Sequence, residues 1–419
     1  MTNLPKHIKD ECNSAIAYFT ALMADYPATK DTPEQLSCYT PETKALYEYA
    51  RPRLETATIK DVSGKEHSAL QYAMFLYFVA EEIVNKGQGT GHSPLLTNAL
   101  LKTALMVALE DCCYRKESNM AFGSKFIFDA KKNNLPMNRS LLASLLAQEG
   151  DWSNRSKGDL LNGDVVAVGI YCARLKVLTN TLAGRCTNGK GSEEALEKIE
   201  SSQNATTPEE VLSFYLYEFA VPYLESVGCQ DASKKIAVFL KFLRTSDFYF
   251  APCSTKYHLC RDGGLAEHTI NVLMQLLWMT LPATKQELGA CVLAAIGHDL
   301  CKVNVYQKLF KNKKTYLKEG DILPDGAQVK QDQGGQFYWA EDYYYEFKDN
   351  MPFGHGRKSA YMLLSYFPEI DEAVFSAVDG HMADASVNPA YMQQFAENPM
   401  ALNLHIADVL ATYLDECGK

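Results

Sequence analysis

An adjacent histidine and aspartate end a long apolar segment in the C-terminal half of the chain. Residues 291–302 read CVLAAIGHDLCK, so His298 and Asp299 follow directly on a predicted apolar helix. A carboxylate buried in such a place is unfavourable unless it is paired or binds a cation. A histidine nitrogen beside a carboxylate oxygen suits Mn, Fe, Co, Ni or Zn better than Ca. Taken alone, the dipeptide favours the simpler alternative, a capped and partly exposed His-Asp pair.

A further histidine and a further acid occupy similar positions. Two consecutive glycines precede His268 and predict a tight start to a helix over 269–279, with His268 in its first turn. Residues 404–414 (LHIADVLATYL) predict another helix, with Asp408 near its apolar side. Asp408 is therefore a second acid that needs a partner, which favours a shared site over two separate caps.

The remaining histidines of this half are clustered as well. Six of the nine histidines lie between His258 and His405. His355 and His381 each follow a glycine, and glycine lets the backbone bend close to a crowded centre. The alternative is that these glycines only shape loops.

The order of a histidine, a His-Asp pair and a distant aspartate resembles the HD superfamily of metal-dependent phosphohydrolases. The resemblance covers roughly residues 248–416. Three segments are similar to a bacterial and phage-borne HD subgroup, namely APCSTKYHLCRDGGLAEHTINVL (251–273), HDLCKVNVY (298–306) and PFGHGRKS (352–359). The chain is also similar to the HD domain of certain bacterial 3′–5′ exoribonucleases. The nucleic-acid-binding β-barrel that precedes the HD domain in those enzymes is not evident in this sequence.

The resemblance implies a ligand set for one or two divalent transition metal ions per chain, with Mn, Fe, Co, Ni or Zn as candidates. Asp299 would bridge the two ions of a binuclear centre. The core quartet would be His268, His298, Asp299 and Asp408, and the two additional histidines of a binuclear centre would be His355 and His381.

The resemblance also implies a reaction, in which metal-activated water attacks phosphorus in a nucleotide or a short oligonucleotide. Asp299 and Lys302 would be the catalytic residues. Two alternatives remain open. One is a two-iron HD oxygenase with a similar ligand set, and the other is a non-catalytic HD module that binds a ligand.

Basic residues near the His-Asp pair are candidate substrate contacts. Lys302 could hold a phosphate, or it could be an exposed lysine that the helix dipole favours. Between positions 302 and 318 there are six lysines, three interleaved aromatic residues and no acid. This composition suits a nucleotide or single-strand contact surface, and the alternative is a solvated loop. The further substrate-binding candidates are Lys311, Lys313, Lys314, Arg357, Lys358 and His258, of which the last is also interpretable as a structural histidine.

The predicted architecture is mainly α-helical. Residues 1–185 form a helical N-terminal domain of unknown role, 186–210 a polar linker, and 211–419 a helical HD domain. Apolar residues at helical spacing predict helices over 69–84 and 95–109. A β-hairpin is predicted as an insertion over 315–345, around the glycine pair at 334 and 335.

Composition and charge narrow the class of protein. The formal net charge is −10, which argues against coating of long nucleic acid by the whole surface. The 12 cysteines include no C-x-x-C pair, and the first 17 residues lack a signal-peptide pattern. We therefore expect a cytoplasmic protein with reduced cysteines and no membrane-spanning helix. The expected partner is a phosphate-containing small molecule or a short oligonucleotide, and a homo-oligomer remains open.

Overall fold

The chain is mainly helical, as the sequence predicts. A computed structural model describes residues 39–88, 93–114, 122–149, 163–179, 207–280, 284–318, 320–324, 326–351, 353–382 and 389–416. The predicted linker lies outside these residues, apart from 207–210. None of the described helices is long and apolar enough to cross a bilayer.

The N-terminal part contains six helices and a short antiparallel strand pair among its described residues. The predicted helices over 69–84 and 95–109 are confirmed as α2 and α3. The bounds are α1 (Pro41–Leu54), β1 (Thr58–Lys60), β2 (Glu66–Ser68), α2 (Ala69–Gln88), α3 (Pro94–Leu109, continued by a π-helical turn Glu110–Tyr114), α4 (Ser124–Lys132), α5 (Arg139–Leu146, continued by a 3-10 turn Ala147–Glu149) and α6 (Val165–Thr179).

The described residues of the C-terminal part form helices and one inserted sheet. The bounds are α7 (Pro208–Tyr215, continued by a π-helical turn Leu216–Ala220), α8 (Val221–Ser226), α9 (Ala232–Thr245), α10 (Gly264–Thr280), α11 (Lys285–Gly297, followed by a 3-10 turn Leu300–Lys302), β3 (Tyr306–Tyr316), β4 (Lys330–Asp332), β5 (Gly335–Phe347), α12 (His355–Tyr366), α13 (Glu372–Gly380), α14 (Pro389–Glu397) and α15 (Pro399–Leu410, continued by a π-helical turn Ala411–Asp415).

Helix α11 is the centre of the C-terminal core. Every residue from Leu288 to Gly297 is buried, as expected for a helix that is apolar on all sides. A capping box between Thr284 and Glu287 fixes its start. At its other end, the residues that follow Gly297 therefore lie in the protein interior.

Helix α6 packs against two hydrophobic cores. Its residues Ile170 and Val177 belong to the core of the N-terminal helices, whereas Val168 and Tyr171 belong to the core around α11. The N-terminal region thus contacts the C-terminal helices through this shared element. The predicted domain boundaries themselves stay a prediction.

The inserted sheet differs from the predicted hairpin. A tight turn does lie at Gly334, but its first strand, β4, has only three residues. The long partner of β5 is instead β3, which pairs with it antiparallel from Tyr306↔Phe347 to Tyr316↔Phe337. The lysine-rich segment, considered as a solvated loop, is therefore a strand. Its lysines mask the alternation of apolar residues that would indicate a strand.

Helices α12 and α13 approach each other closely next to the two added histidines. A Cβ atom at Gly356 would lie 2.1 Å from the carbonyl oxygen of Asp379. One residue earlier than His355, Gly354 has φ +89°, which favours glycine. The backbone is therefore crowded at Gly356, whereas at Gly354 only the positive φ favours glycine, with nothing within 4 Å of an added Cβ. Gly380 instead lies against the flexible end of Gln394.

We predict that Gly356→Ala destabilises the protein by about 1–3 kcal/mol, because the added methyl group forces α12 away from α13. Alanine would otherwise favour a helix by about 1 kcal/mol over glycine, so unchanged or increased stability would contradict this packing. Denaturant unfolding followed by circular dichroism measures the change. Ser365→Ala, at an exposed position of the same helix, is the control and should shift stability by no more than about 0.5 kcal/mol.

Candidate metal centre

Five separate elements bring the predicted ligands together. Helix α10 begins at Gly264, earlier than predicted, so His268 lies in its second turn rather than its first. Glycine fits this first position of the helix, because a Cβ at Gly264 would lie 2.1 Å from the carbonyl oxygen of Leu259. The other ligand candidates follow α11 (His298 and Asp299), open α12 (His355), follow α13 (His381) and lie in the last turn of α15 (Asp408).

The two carboxylate oxygens of Asp299 face two different pairs of histidines. Oδ1 lies 2.6 Å from Nε2 of His355 and 4.0 Å from Nε2 of His381. Oδ2 lies 3.4 Å from Nε2 of His298 and 3.5 Å from Nε2 of His268. These two sets, His268–His298–Asp299 and Asp299–His355–His381, could each hold a metal ion. A carboxylate shared in this way can bridge two ions.

Hydrogen bonds on the far side of three rings direct Nε2 towards the centre. Nδ1 of His298 donates to the carbonyl oxygen of Ala295 at 2.6 Å, and Nδ1 of His381 donates to that of Val378 at 2.7 Å. Nδ1 of His268 donates to the Glu416 carboxylate at 3.0 Å. Such partners fix the tautomer and the ring orientation of metal-binding histidines. These bonds therefore direct the three Nε2 atoms towards Asp299.

His381 provides the clearest test of whether a cation fits. Its Nε2 is buried and has no hydrogen-bond partner among the described residues. Burial, and then repulsion from His298 and His355, lowers the pKa of His381 to about 3. A bare, buried nitrogen lone pair is unfavourable unless something binds it. The donor set of imidazole nitrogens and carboxylates suits a transition metal ion.

Asp408 completes the quartet through His268. Its Oδ1 lies 3.2 Å from Nε2 of that histidine. Burial alone would raise the pKa of Asp408, but the hydrogen bond and charge of His268 outweigh it and hold the pKa well below its usual range. Likewise, burial opposes ionisation of Asp299, yet Lys302, His298 and His355 keep its pKa well below normal. Both carboxylates are thus ionised and able to bind a cation.

Lys302 lies inside the centre, so the alternative of an exposed lysine is wrong. Its Nζ donates to Oδ2 of Asp299 at 2.6 Å and lies 3.4 Å from Sγ of Cys253. Burial favours the neutral amine, but the Asp299 charge dominates and the pKa of Lys302 is well above its usual value. The centre therefore contains a permanent positive charge next to the shared carboxylate.

Sequence reasoning did not identify Cys253 and Glu416 as part of this centre. Nε2 of His258 lies 3.0 Å from Sγ of Cys253 and 3.7 Å from Oε2 of Glu416. Together with His268, Cys253 and His258 form a third group that could hold a metal ion. The C-x4-H spacing of Cys253 and His258 was a signal that could have been found. Glu416, which holds His268, follows the predicted helix and carried no such signal.

The other predicted substrate contacts have different surroundings. Arg357 is largely exposed and lies 3.4 Å from Asp379, so it can reach a ligand. Lys358 is buried in an ion pair with Asp349 at 2.6 Å, so phosphate neutralisation by Lys358 would require breaking that pair. Of the β3 lysines, Lys313 lies 3.5 Å from Asp342 and Lys314 pairs with Asp332. Lys311 lies over the Tyr344 ring, with Nζ 5.3 Å from the ring centre.

No family model, no curated protein and no solved structure matches this chain. Membership of the HD superfamily therefore stays a prediction from the sequence motifs.

We predict that the purified protein binds about two transition metal ions per chain when Mn, Co, Ni or Zn is supplied. His355→Ala and His381→Ala should each bind about one, and Asp299→Ala close to none, because its carboxylate serves both histidine pairs. Elemental analysis after desalting gives the number. His67→Gln is the matched control, since Nε2 of His67 contacts Asp61 at 2.7 Å outside this centre. Full occupancy in both histidine variants would rule out the second position.

Metal binding should also strengthen as the pH rises. Burial alone would lower the pKa of His355, but the Asp299 carboxylate outweighs it and raises the pKa to about 10. His355 is therefore protonated at neutral pH in the metal-free protein, and a cation must displace that proton. For one displaced proton, the apparent affinity at this position rises about tenfold per pH unit between roughly pH 6 and 8.

Calorimetry in buffers of different ionisation enthalpy counts the released protons. His355→Ala should release one fewer proton than the wild-type protein. His381→Ala should also release one fewer proton, because it loses the ion that would displace the proton of His355, although His381 itself, with its low pKa, has no proton to release. The same proton count in wild type and His355→Ala would contradict the protonation of His355.

Proposed function

We propose that this protein is a metal-dependent phosphohydrolase of the HD type, acting on nucleotides or short oligonucleotides. The observation that carries the proposal is the position of Asp299. Its buried carboxylate lies between two pairs of imidazole Nε2 atoms, three of which are oriented by a hydrogen bond at Nδ1. An isolated capped His-Asp pair would need none of these surroundings.

The side chains of this centre are suited to holding divalent cations. One position would be held by Asp299 with His268, His298 and Asp408, and the other by Asp299 with His355 and His381. Bound cations supply Lewis acidity, which lowers the pKa of water and polarises a phosphoryl oxygen.

Lys302 is the residue best placed to favour a phosphate substrate. Its ammonium group is held between Asp299 and Cys253, so it is oriented before any ligand arrives. A preorganised positive charge in a buried site stabilises negative charge that develops on a substrate oxygen. Exposed Arg357, which follows His355 by two residues, adds a second cation that can contact phosphate.

Glu416 has a positioning role in this proposal. Oε1 of Glu416 accepts hydrogen bonds from Nδ1 of His268 and from Asn271. This keeps the His268 ring aligned with Asp299 and Asp408. Loss of such a partner typically lowers metal affinity or activity by 10–100-fold.

The function is tested by screening the Mn-, Co-, Ni- and Zn-loaded protein against nucleotides, cyclic dinucleotides and short oligonucleotides, with release of phosphate or nucleoside monophosphate as the readout. We expect metal-dependent hydrolysis that Asp299→Asn abolishes and Glu416→Gln lowers by about 10–100-fold. His67→Gln, outside the centre, should retain full activity. Circular dichroism shows whether each variant is folded.

Two outcomes would overturn the proposal. If the ferrous protein consumes oxygen with an organic substrate and no phosphate ester is hydrolysed, the two-iron oxygenase replaces it. If metal binds but no substrate class reacts, a ligand-binding module becomes the better description.

A further inference from the structure

One face of the β3–β5 sheet consists almost entirely of aromatic and lysine side chains. Alternate residues of a strand share a face, and the pairing of β3 with β5 sets which residues lie together. We name this surface the aromatic face. It comprises Tyr306, Lys308, Phe310, Asn312, Lys314 and Tyr316 of β3 and Phe337, Trp339, Glu341, Tyr343, Tyr345 and Phe347 of β5.

Much of the aromatic face is open to solvent. Phe310 is 62 % exposed, Trp339 52 % and Tyr343 37 %. Neighbouring rings hold one another in place, with Trp339 edge-on to Phe337 and Tyr343 edge-on to Tyr345. A row of ordered, exposed rings has no role in the hydrophobic core, and such a patch marks an interaction site.

The aromatic face begins beside the metal centre. The hydroxyl of Tyr306 donates to the carbonyl oxygen of Cys253 at 3.1 Å. Asp262, just before helix α10, accepts from Lys308 at 2.5 Å and from the Tyr345 hydroxyl. A ligand that lies along this face can therefore extend to the candidate ligands of α10 and α11. Since the face spans the 11 residues of β3, it is about 36 Å long at ~3.3 Å per residue.

Its charges indicate what lies on it. The Nζ of Lys308 is 4.0 Å from the centre of the Tyr343 ring, and that of Lys314 is 3.9 Å from the Phe337 ring. The two ammonium groups thus lie near the two ends of the exposed rings. This alternation of ring and cation is complementary to a chain of unpaired bases linked by phosphates. Each lysine also contacts an aspartate, so stacking rather than net charge has to supply most of the affinity.

We propose that the aromatic face binds single-stranded nucleic acid through stacking of its bases and leads one end of the strand to the metal centre. This inference rests on the proposed function, because it assigns to the same centre a strand rather than a free nucleotide. It also revises the roles of the β3 lysines. Lys314 lies on the aromatic face, whereas Lys311 and Lys313 lie on the opposite face with Tyr344 and Asp342.

Neighbouring residues of β5 provide a matched pair of variants. Tyr343 and Tyr344 have the same side chain and similar exposure, 37 % and 41 %, but point to opposite faces. The probe is fluorescein-labelled oligodeoxythymidylate of about 12 nucleotides, with fluorescence anisotropy as the readout. The chelated protein is used, so that cleavage does not interfere.

Tyr343→Ala and Trp339→Ala should each weaken binding about tenfold, the effect of losing one stacked base. Tyr344→Ala should change the Kd by less than about twofold. An abasic strand of equal length should bind at least about tenfold more weakly than the thymidylate. Lys330 of β4, which pairs with Phe337 of this face, adds a third lysine to Lys308 and Lys314. The plot of log Kd against log salt should therefore have a slope of about 2.

Equal loss in Tyr343→Ala and Tyr344→Ala, or equal binding of the abasic strand, would overturn the assignment. So would self-association in sedimentation that Tyr343→Ala abolishes and the probe does not displace, because the occupant would then be a second copy. The proposed function fails separately. If strands bind to the aromatic face but no phosphate ester is cleaved, only the hydrolase is wrong, and if mononucleotides are hydrolysed while strands do not bind, only this inference is wrong.

Discussion

The arrangement of the C-terminal half depends on one buried carboxylate. Asp299 follows a helix that is buried on all sides over its last ten residues, so its charge lies where water cannot solvate it. Lys302 and His355 each contact one of its oxygens at 2.6 Å. A buried ion pair is rarely a net gain in stability compared with apolar packing. The candidate metal centre explains why this ion pair is present, because such a centre needs an ionised carboxylate that is accessible from two sides.

Close helix packing determines which histidines reach that carboxylate. Gly356 allows α12 to touch α13, which places His355 and His381 on the same side of Asp299. The N-terminal region contributes as well. Nε2 of His405 accepts from the Tyr171 hydroxyl of α6 at 3.4 Å, and its Nδ1 donates to the carbonyl oxygen of His381 at 2.7 Å. A helix from the N-terminal region thus supports the backbone of a candidate metal ligand.

In the sequence, the interleaved basic and aromatic residues of β3 look like one surface. Strand alternation divides them between the two faces of the sheet. Acids from β4, from β5 and from the segment before α10 contact three of the four lysines of β3. The aromatic face therefore offers a ligand mainly ring surface and little unpaired positive charge. This is consistent with the net charge of −10.

Local patterns in the sequence were enough to predict the mainly helical fold, the helices α2 and α3, and the six residues that converge at the centre. These follow from apolar periodicity, from the chemistry of His and Asp, and from a motif order similar to one family. Contacts between distant segments decided the rest. The pairing of β3 with β5 and the hydrogen bond between Glu416 and His268 join residues that are far apart in the chain. The contact of Lys302 with Asp299 is local, but its burial depends on the distant segments that pack around it. No local pattern encodes them, because they arise only when packing brings those segments to the end of α11.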